Sequence, residues 1–434
     1  MAGTLIRPQV PLPYGSNMIE IEARLSELRA LGLHHRIRLV SGPQGPHVVL
    51  DGKPVLLLCS DNCLGMADHP RVREAAAEAA MRWGVGAGAS RLASGTMTVH
   101  RRLEERLASF LRRDSALLFG SGFLAGAGVV AALARPGDVV FSDERNHASL
   151  IDGCRLSRAE VFVYDHGDVE HLGWGLAQNH GRAALIATEA VFSLDGAVAP
   201  LEGIVELAQQ HRVRLLVDES RGLGSLGPGG RGALAEHGLE DQVDVIVGTL
   251  GEALGSYGAF AACDRVMTQY LLHAARTLTF STAPAPPAVA GALAALALLE
   301  ERPRLVEKLR LNTAALREGL EAEGFDMRGS RTHILALDVG EPALAVRLCD
   351  RVLTQGVFAQ AVGTYVRLAV MATHRSEELR AAARVLGDAA RAMGFDPRAT
   401  VVYAEPEVEY YEPDEHDQPE QTGPFDYERI AHAA

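Results

Sequence analysis

Several absences narrow what this chain does. Cysteine is scarce: Cys59, Cys63, Cys154, Cys263 and Cys349 are the five in 434 residues, with neither CxxC spacing nor histidines at zinc-ligand intervals. An odd, scattered set excludes a disulfide framework and a structural zinc site, so the thiols are expected to be reduced and mostly buried. Basic residues are not in excess. Lys and Arg number 42 against 55 Asp and Glu, a net charge of −13, and no basic stripe exists to track a phosphate backbone, which argues against nucleic acid as a partner. The deficit is local: from Glu405 onward ten acidic residues face Arg429 alone, a balance of −9, leaving −4 for everything before. Long apolar runs are also missing. The longest, Ala288 to Leu299, covers about twelve residues where a bilayer span needs about 20. The N-terminus, MAGTLIRPQVPLPYG, has prolines where a signal peptide has an apolar core. A cytoplasmic protein without a transmembrane segment is expected.

What remains is ordinary globular composition, 47% apolar and 22% charged, which argues against wholesale disorder. A single core stops growing near ~250–300 residues, so two packed parts are expected. Apolar residues at helical spacing predict a first helix over Asn17–Leu33. Apolar alternation in His35–Val40 and His47–Cys59, broken by Gly-Pro and Asp-Gly, predicts a hairpin. From Leu103 to about Leu250, short β-rich runs (Ala116–Phe119, Val139–Ser142, Val161–Tyr164, Ala184–Thr188, Arg214–Val217, Val245–Val247) alternate with helical stretches. That alternation implies βαβ units and a mostly parallel sheet. One or two long helices over Ala288–Gly319 follow. A second unit then reads as strand His333–Asp338, helix Pro342–Gln355, strand Tyr365–Val370 and helix Ser376–Met393. The expected organisation is an N-terminal helix and hairpin over 1–59, a large unit over 60–286, a smaller one over 287–396 and an acidic, disordered tail over 397–434.

Three segments point to a phosphate-bearing ligand. Phe119-Gly-Ser-Gly-Phe123 follows a strand and opens a helix, exposing amides at a positive helix end, although a plain tight turn gives the same pattern. Asp218 closes the strand Leu215-Leu-Val-Asp218, where open α/β sheets place ligands, or else caps the next helix. Thr249 ends Val245-Ile-Val-Gly-Thr249 in the same way, or marks a turn.

In order, SDNCLGMADHP (60–70), GVGAGASRLASGTMTVHRRLEERLASF (84–110), SGFLAG (121–126), GDVVFSDERNHASLIDG (137–153), EAVFSLDGAVAPL (189–201), VDESRGLGSLGPGGRGALAEH (217–237), VDVIVGTLGEALGSYGAF (243–260) and FSTAPAPP (280–287) resemble the α-oxoamine synthase family. The resemblance runs from about Ile19 to Gly394. It implies a pyridoxal-phosphate (PLP) fold of type I, with a mostly parallel seven-stranded sheet in the large domain and a small α+β C-terminal domain. It implies that His147 stacks on the PLP ring, that Asp218 pairs with the ring nitrogen and that Ser193 approaches the ring hydroxyl. Gly122, Phe123 and Thr249 would hold the phosphate. Ser281 and Thr282 would reach the phosphate of the other subunit in a dimer, and Arg367 would clamp a substrate carboxylate. Acyl-CoA or an acyl carrier protein thioester would be the acyl donor.

The same resemblance exposes departures. The family's Thr-Leu-Ser-Lys-Ala-Leu-Gly is Thr249-Leu-Gly251-Glu252-Ala-Leu-Gly255, so a carboxylate that cannot form an imine stands at the Schiff-base lysine position. Asp-Glu-Ala-His is Asp218-Glu-Ser-Arg221, an Asn or Tyr is Asp61, an Asn is Gly126, and Arg-Leu-Arg keeps only Arg367. These losses resemble the lysine-less subunit of serine palmitoyltransferase. They lead to the expectation of a non-catalytic subunit, paired with a lysine-bearing paralogue in sphingolipid-type biosynthesis or else with itself. Two other readings stand beside it: an active acyltransferase that binds PLP without the lysine and uses Glu252 as acid or base, and an interaction protein acting through its acidic tail.

Overall fold

The computed structural model describes residues 18–30 and 37–398. Helix α1 spans Met18–Ala30, inside the expected Asn17–Leu33, and the remaining ends of that expectation lie outside the described residues. The hairpin is present as β1 (Val40–Ser41), β2 (His47–Leu50) and β3 (Lys53–Leu57), antiparallel throughout and turned by Asp51-Gly52. Helices α2 (Pro70–Trp83) and α3 (Thr98–Phe110) lead into the main alternation. It runs β4 (Ser115–Phe119), α4 (Gly122–Leu133), β5 (Val139–Asp143), α5 (Ala148–Ser157), β6 (Glu160–Tyr164), α6 (Val169–Gln178), β7 (Ala183–Glu189), α7 (Leu201–His211), β8 (Arg214–Asp218), α8 (Ala233–His237), β9 (Val245–Thr249) and β10 (Ala259–Cys263).

These strands form one seven-stranded sheet in the order β4-β10-β9-β8-β7-β5-β6. Pairs β9-β8-β7-β5-β6 are parallel, whereas β10 runs antiparallel to both β4 and β9. Helices cover both faces, so the central strands are buried on both sides and read as unbroken apolar runs such as Val139-Val-Phe and Leu215-Leu-Val. Parallel strands put all their carboxyl ends at one edge, and Asp143, Glu189, Asp218 and Thr249 are gathered there.

Past the sheet come α9 (Arg265–Ala274), α10 (Arg276–Thr279), α11 (Pro286–Glu301) and α12 (Arg304–Glu323). The helical stretch expected over Ala288–Gly319 is two helices divided at Arg302-Pro303, where proline cannot continue a helix. Although residue 287 was the expected start of the second unit, α11 packs along α2 and α3. The remaining elements are β11 (Ile334–Asp338), α13 (Pro342–Thr354), β12 (Val357–Phe358), β13 (Gln360–Val362), β14 (Tyr365–Ala369) and α14 (Ser376–Ala392). Strands β11, β14 and β13 make an antiparallel sheet. Short β12 pairs in parallel with β3, so the N-terminal hairpin is joined to the C-terminal unit. No helix among the described residues is long and apolar enough to cross a membrane. The expected tail lies, past Arg398, outside the described residues.

The glycine-rich segment between α2 and α3 is fastened to the sheet by a buried ion pair. Arg91 Nη2 meets Glu104 Oε1 at 2.7 Å, that oxygen also accepts the Leu118 N–H at 3.0 Å, and Arg91 Nη1 donates to the Leu118 carbonyl at 3.3 Å. Removing one partner of such a pair strands a buried charge, which costs about 3–5 kcal/mol. Glu104→Ala is therefore expected to lower the unfolding free energy by about that amount, and Arg91→Met with Glu104→Leu by clearly less. Urea unfolding followed by circular dichroism measures both, and equal losses would contradict the assignment.

Candidate active site

The ring-side residues sit where strands end and helices begin. Asp218 terminates β8, buried, with Oδ1 accepting the Ser220 N–H at 2.8 Å. In register beside it, Glu189 terminates β7. His147 is the N-cap of α5 and its Nδ1 accepts the Ser149 N–H at 3.2 Å, which fixes the imidazole plane. The preceding Asn146 straps this turn to β7: its Nδ2 donates to the Ala187 carbonyl at 2.7 Å and its Oδ1 accepts the Glu189 N–H at 3.1 Å. Ser121 caps α4, and a Cβ built on Gly122 would stand 3.6 Å from the Thr249 Cβ. The positive opening of α4, an anion cradle, thus lies against Thr249, whose hydroxyl donates to the Gly258 carbonyl at 3.2 Å and accepts the Gly251 N–H at 3.0 Å.

Glu252 lies in the turn after β9. Gly255 there has φ 57°, and a Cβ on it would come within 2.3 Å of the Ala67 nitrogen, so the turn is pressed against the segment that carries Asp61. Arg221 joins the two. Its Nε is 3.1 Å from Glu252 Oε2 and its Nη1 is 2.5 Å from Asp61 Oδ1. Arg367, on β14, extends the chain of charges: its Nη2 is 3.5 Å from Asp61 Oδ1 and its Nε donates to the Ser193 carbonyl at 2.8 Å. The Arg221 backbone is held by Ser225, whose hydroxyl donates to the Arg221 carbonyl, and nearby Glu219 accepts the Ala233 and Leu234 amides.

These charges perturb one another. Burial pushes the Glu252 carboxyl up to about 8, with Asp61 and Asp218 adding to the effect and Arg221 opposing it. Burial works the same way on Asp61, but Arg221, helped by Arg367, outweighs it and holds that carboxyl below the usual range. Glu189 is raised well above the usual range by burial and by neighbouring Asp218. Burial lowers His147 against the pull of Asp218, and lowers His333 to about 3 with Arg221 and Arg367 adding to it.

Among the described residues, the buried side-chain polar atoms without a hydrogen-bond partner are Tyr164 Oη, Glu189 Oε1, Glu252 Oε2, His333 Nδ1 and Arg367 Nη2. All but Tyr164 belong to this one electrostatic neighbourhood. Of these, Glu252 Oε2 still faces Arg221 Nε at 3.1 Å and Arg367 Nη2 faces Asp61 Oδ1 at 3.5 Å, which leaves Glu189 Oε1 and His333 Nδ1; buried polar atoms are normally paired, so these two mark a place suited to a polar ligand. Stacking, anion-cradle and carboxylate positions together fit PLP, but Glu252 cannot bind it covalently.

A family model described as aminotransferase class I and II matches residues 53–386. The chain belongs to that family. The 8-amino-7-oxononanoate synthase of Geobacter metallireducens is 45% identical over 382 residues, covering 85% of this chain and 97% of the relative, and that of Anaeromyxobacter dehalogenans is 43% identical over 375 residues, 86% and 93%. Among solved structures, a lysine-to-alanine variant of serine palmitoyltransferase from S. paucimobilis with bound PLP and myriocin matches with a TM-score of 0.82 at 29% identity, over 86% of this chain and 98% of that one. The α-oxoamine synthase kinship and the type I PLP fold are confirmed.

The expected non-catalytic, serine palmitoyltransferase-like subunit is overturned. The matched relatives are 8-amino-7-oxononanoate synthases, and no support exists for a lysine-bearing partner or a sphingolipid role. A physical reason agrees with this correction: Glu252, Arg221 and Asp61, taken from sequence as separate losses, form one connected ion-pair network with the retained Arg367.

His147, Ser193, Asp218, Arg221, Glu252 and Arg367 are thereby brought together, with Gly122, Phe123 and Thr249 at the cradle. Ser281 and exposed Thr282 instead border residues 89 and 90, through the bridge of Thr282 to Ser90 and the Ala283 N–H to the Ala89 carbonyl. Sequence reasoning missed Glu189 and His333. Glu189 had a signal, since it ends a buried-type strand two positions beyond the apolar run Ala183–Ala187, much as Asp218 ends β8.

Because the Glu252 carboxyl is raised in the folded state, its contribution to stability is full below the ordinary carboxylate range and is lost as pH rises through about 8. The groups facing it are Arg221, Asp61, Asp218, Arg367, Cys63 and Glu189. The difference in unfolding free energy between the native chain and Glu252→Gln is expected to fall steadily from about pH 5 to pH 9. Urea unfolding across that range measures it, and a flat difference would refute the buried-carboxyl assignment.

Proposed function

We propose that this chain is a PLP-dependent acyltransferase that condenses an amino acid with an acyl thioester, in the manner of the 8-amino-7-oxononanoate synthases it resembles, and that it holds its cofactor without a covalent bond. The observation that carries this reading is the single cluster at the carboxyl edge of the sheet. There the stacking, ring-nitrogen and phosphate positions persist around a Glu252 that is ion-paired to Arg221. The bound group would supply an aldehyde carried on an electron-withdrawing pyridinium ring.

In this reading Asp218, a buried carboxylate, keeps the ring nitrogen protonated. His147 covers one ring face, held in orientation by the Ser149 amide. Gly122 and Phe123 offer amides at the start of α4, and Thr249 a hydroxyl, to the phosphate. Ser193 sits by the ring hydroxyl, and its carbonyl ties it to Arg367, which receives the substrate carboxylate. Arg221 supplies a permanent cation beside the lysine position. A homodimer would bring Ser281 and Thr282 to the phosphate of the second copy, and acyl-CoA or an acyl carrier protein thioester would enter as the donor.

Titration of the purified chain with PLP, followed by absorbance, is expected to saturate and to reverse fully on dialysis. Borohydride treatment should leave the mass of the chain unchanged. Asp218→Asn is expected to weaken binding at least about tenfold, about 1.4 kcal/mol. With a panel of amino acids and acyl-CoA thioesters, the loaded protein should release free thiol. A chain that gains the cofactor's mass on reduction, or that binds no PLP, would overturn the reading.

A further inference from the structure

Few groups in the site are able to exchange a proton. Arg221 and Arg367 are guanidinium ions, donors that do not deprotonate in proteins. Asp61 lies between them and stays a carboxylate. Asp218 is held by the Ser220 amide and, in the reading above, committed to the ring nitrogen. Glu189 is buried behind the strand ends and receives the His147 amide. His147 has its Nδ1 engaged by Ser149. Glu252 differs from all of these. It sits on the same turn as Thr249, its Oε2 has no hydrogen bond, and its one ion-pair contact is Arg221 Nε at 3.1 Å.

We propose that Glu252 is the acid–base catalyst of this site, its carboxyl taking the proton from the substrate carbon that bears the amine and later returning it. This rests on the acyltransferase reading. The C–H bond breaks, its proton passes to Oε2, and its electron pair stays with the carbon, so no oxidant or reductant is needed. The carbon then attacks the thioester carbonyl, the C–S bond breaks and the thiolate leaves, taking a proton from water; the substrate carboxylate departs as carbon dioxide, its bonding pair stays on the carbon, and the same oxygen returns the proton there. Arg221 and Asp61 act as positioning residues: Asp61 draws the guanidinium toward the 60–66 segment, and its Nε then aims the Glu252 carboxyl.

The electrostatics support the geometry. Burial, with Asp61 and Asp218, raises Glu252 to about 8 against the attraction of Arg221, with Arg367, Cys63 and Glu189 the other groups facing it. A carboxyl that titrates near neutral pH both accepts and donates, and general acid–base catalysis is most effective there. Asp61, pulled the other way by the same Arg221, is too weak a base for that work.

The test combines the PLP-loaded protein with a cofactor-free measurement. In heavy water with L-alanine, L-serine or glycine and no thioester, proton NMR follows loss of the α-hydrogen signal. Exchange is expected, rising with pH through about 8. Glu252→Gln should slow it about 100-fold, the lower range for a lost acid–base group, while Glu252→Asp retains part of it. PLP affinity should change less than about threefold in either variant, which separates catalysis from structural damage. Arg221→Lys should move the pH midpoint. Independently, a glutamate carboxyl carbon resonance in the labelled, cofactor-free chain should titrate near 8 and vanish in Glu252→Gln. Wild-type exchange in Glu252→Gln, with PLP bound, would sink this inference and leave the acyltransferase reading standing. Failure of the native chain to bind PLP would overturn both.

Discussion

One buried guanidinium shared by two carboxylates holds this site together. Arg221 reaches Glu252 with Nε and Asp61 with its terminal nitrogens, so three chain segments meet on one cation: the loop after β8, the turn after β9 and the segment after β3. A charge removed from water must be compensated locally or it destabilises the fold by several kcal/mol, about 3–5 when one partner is removed. The arrangement of these loops therefore depends on all three side chains. Through Asp61 the constraint passes to Arg367 on β14, and so to the C-terminal sheet.

Charge also explains why the departures from the family pattern come as a set. A glutamate alone at position 252 would join Asp61, Asp218 and Glu189 in a low-dielectric pocket. Four carboxyls there, facing Arg367 alone, would be mutually repulsive, and some would have to stay protonated. An arginine at position 221, where the family has histidine, supplies the missing positive charge. It cannot lose its proton, unlike a buried lysine or histidine, so its own positive charge is present across the pH range while Glu252 titrates beside it.

The parts of the fold and site that were legible from sequence follow a fixed period or spacing. Parallel strands announce themselves as apolar runs ending in a polar residue, which is how Asp218 and Thr249 were placed correctly. Strand β10 did not stand out, because Ala259-Phe-Ala-Ala-Cys263 is a run of small residues that fits a buried helix equally well. No element was expected between helix Pro342–Gln355 and strand Tyr365–Val370. In the structure that segment supplies β12 to the N-terminal hairpin and β13 to the second sheet, because pairings between remote segments leave no local signature. For the same reason the contact between Arg221 and Glu252 was hidden, and two members of an ion pair were read as two losses. His333 carried no pattern: its burial beside Arg221 and Arg367 comes from packing alone.

Giving up the covalent lysine changes what the remaining contacts must do. An imine to lysine adds a covalent bond to the cofactor's binding energy, whereas a cofactor held by contacts alone is occupied only as those contacts and its concentration allow. Micromolar affinity requires about 8 kcal/mol of net binding, and each hydrogen bond to a charged group contributes about 1.5–3 kcal/mol. The loss of translational and rotational freedom takes at least ~4 kcal/mol from the gross sum. Four or five good contacts are then a minimum. Under the proposed function the chain offers that number in Asp218, Thr249, the two α4 amides and Ser193, with His147 covering the ring. A site that keeps this whole set while replacing its lysine has kept the part of the binding energy that does not depend on the lysine. Persistence of the set beside a charge-compensated Glu252 is what a reversible cofactor site requires, whereas a site released from cofactor binding would have no reason to keep a buried carboxylate beneath a fixed imidazole.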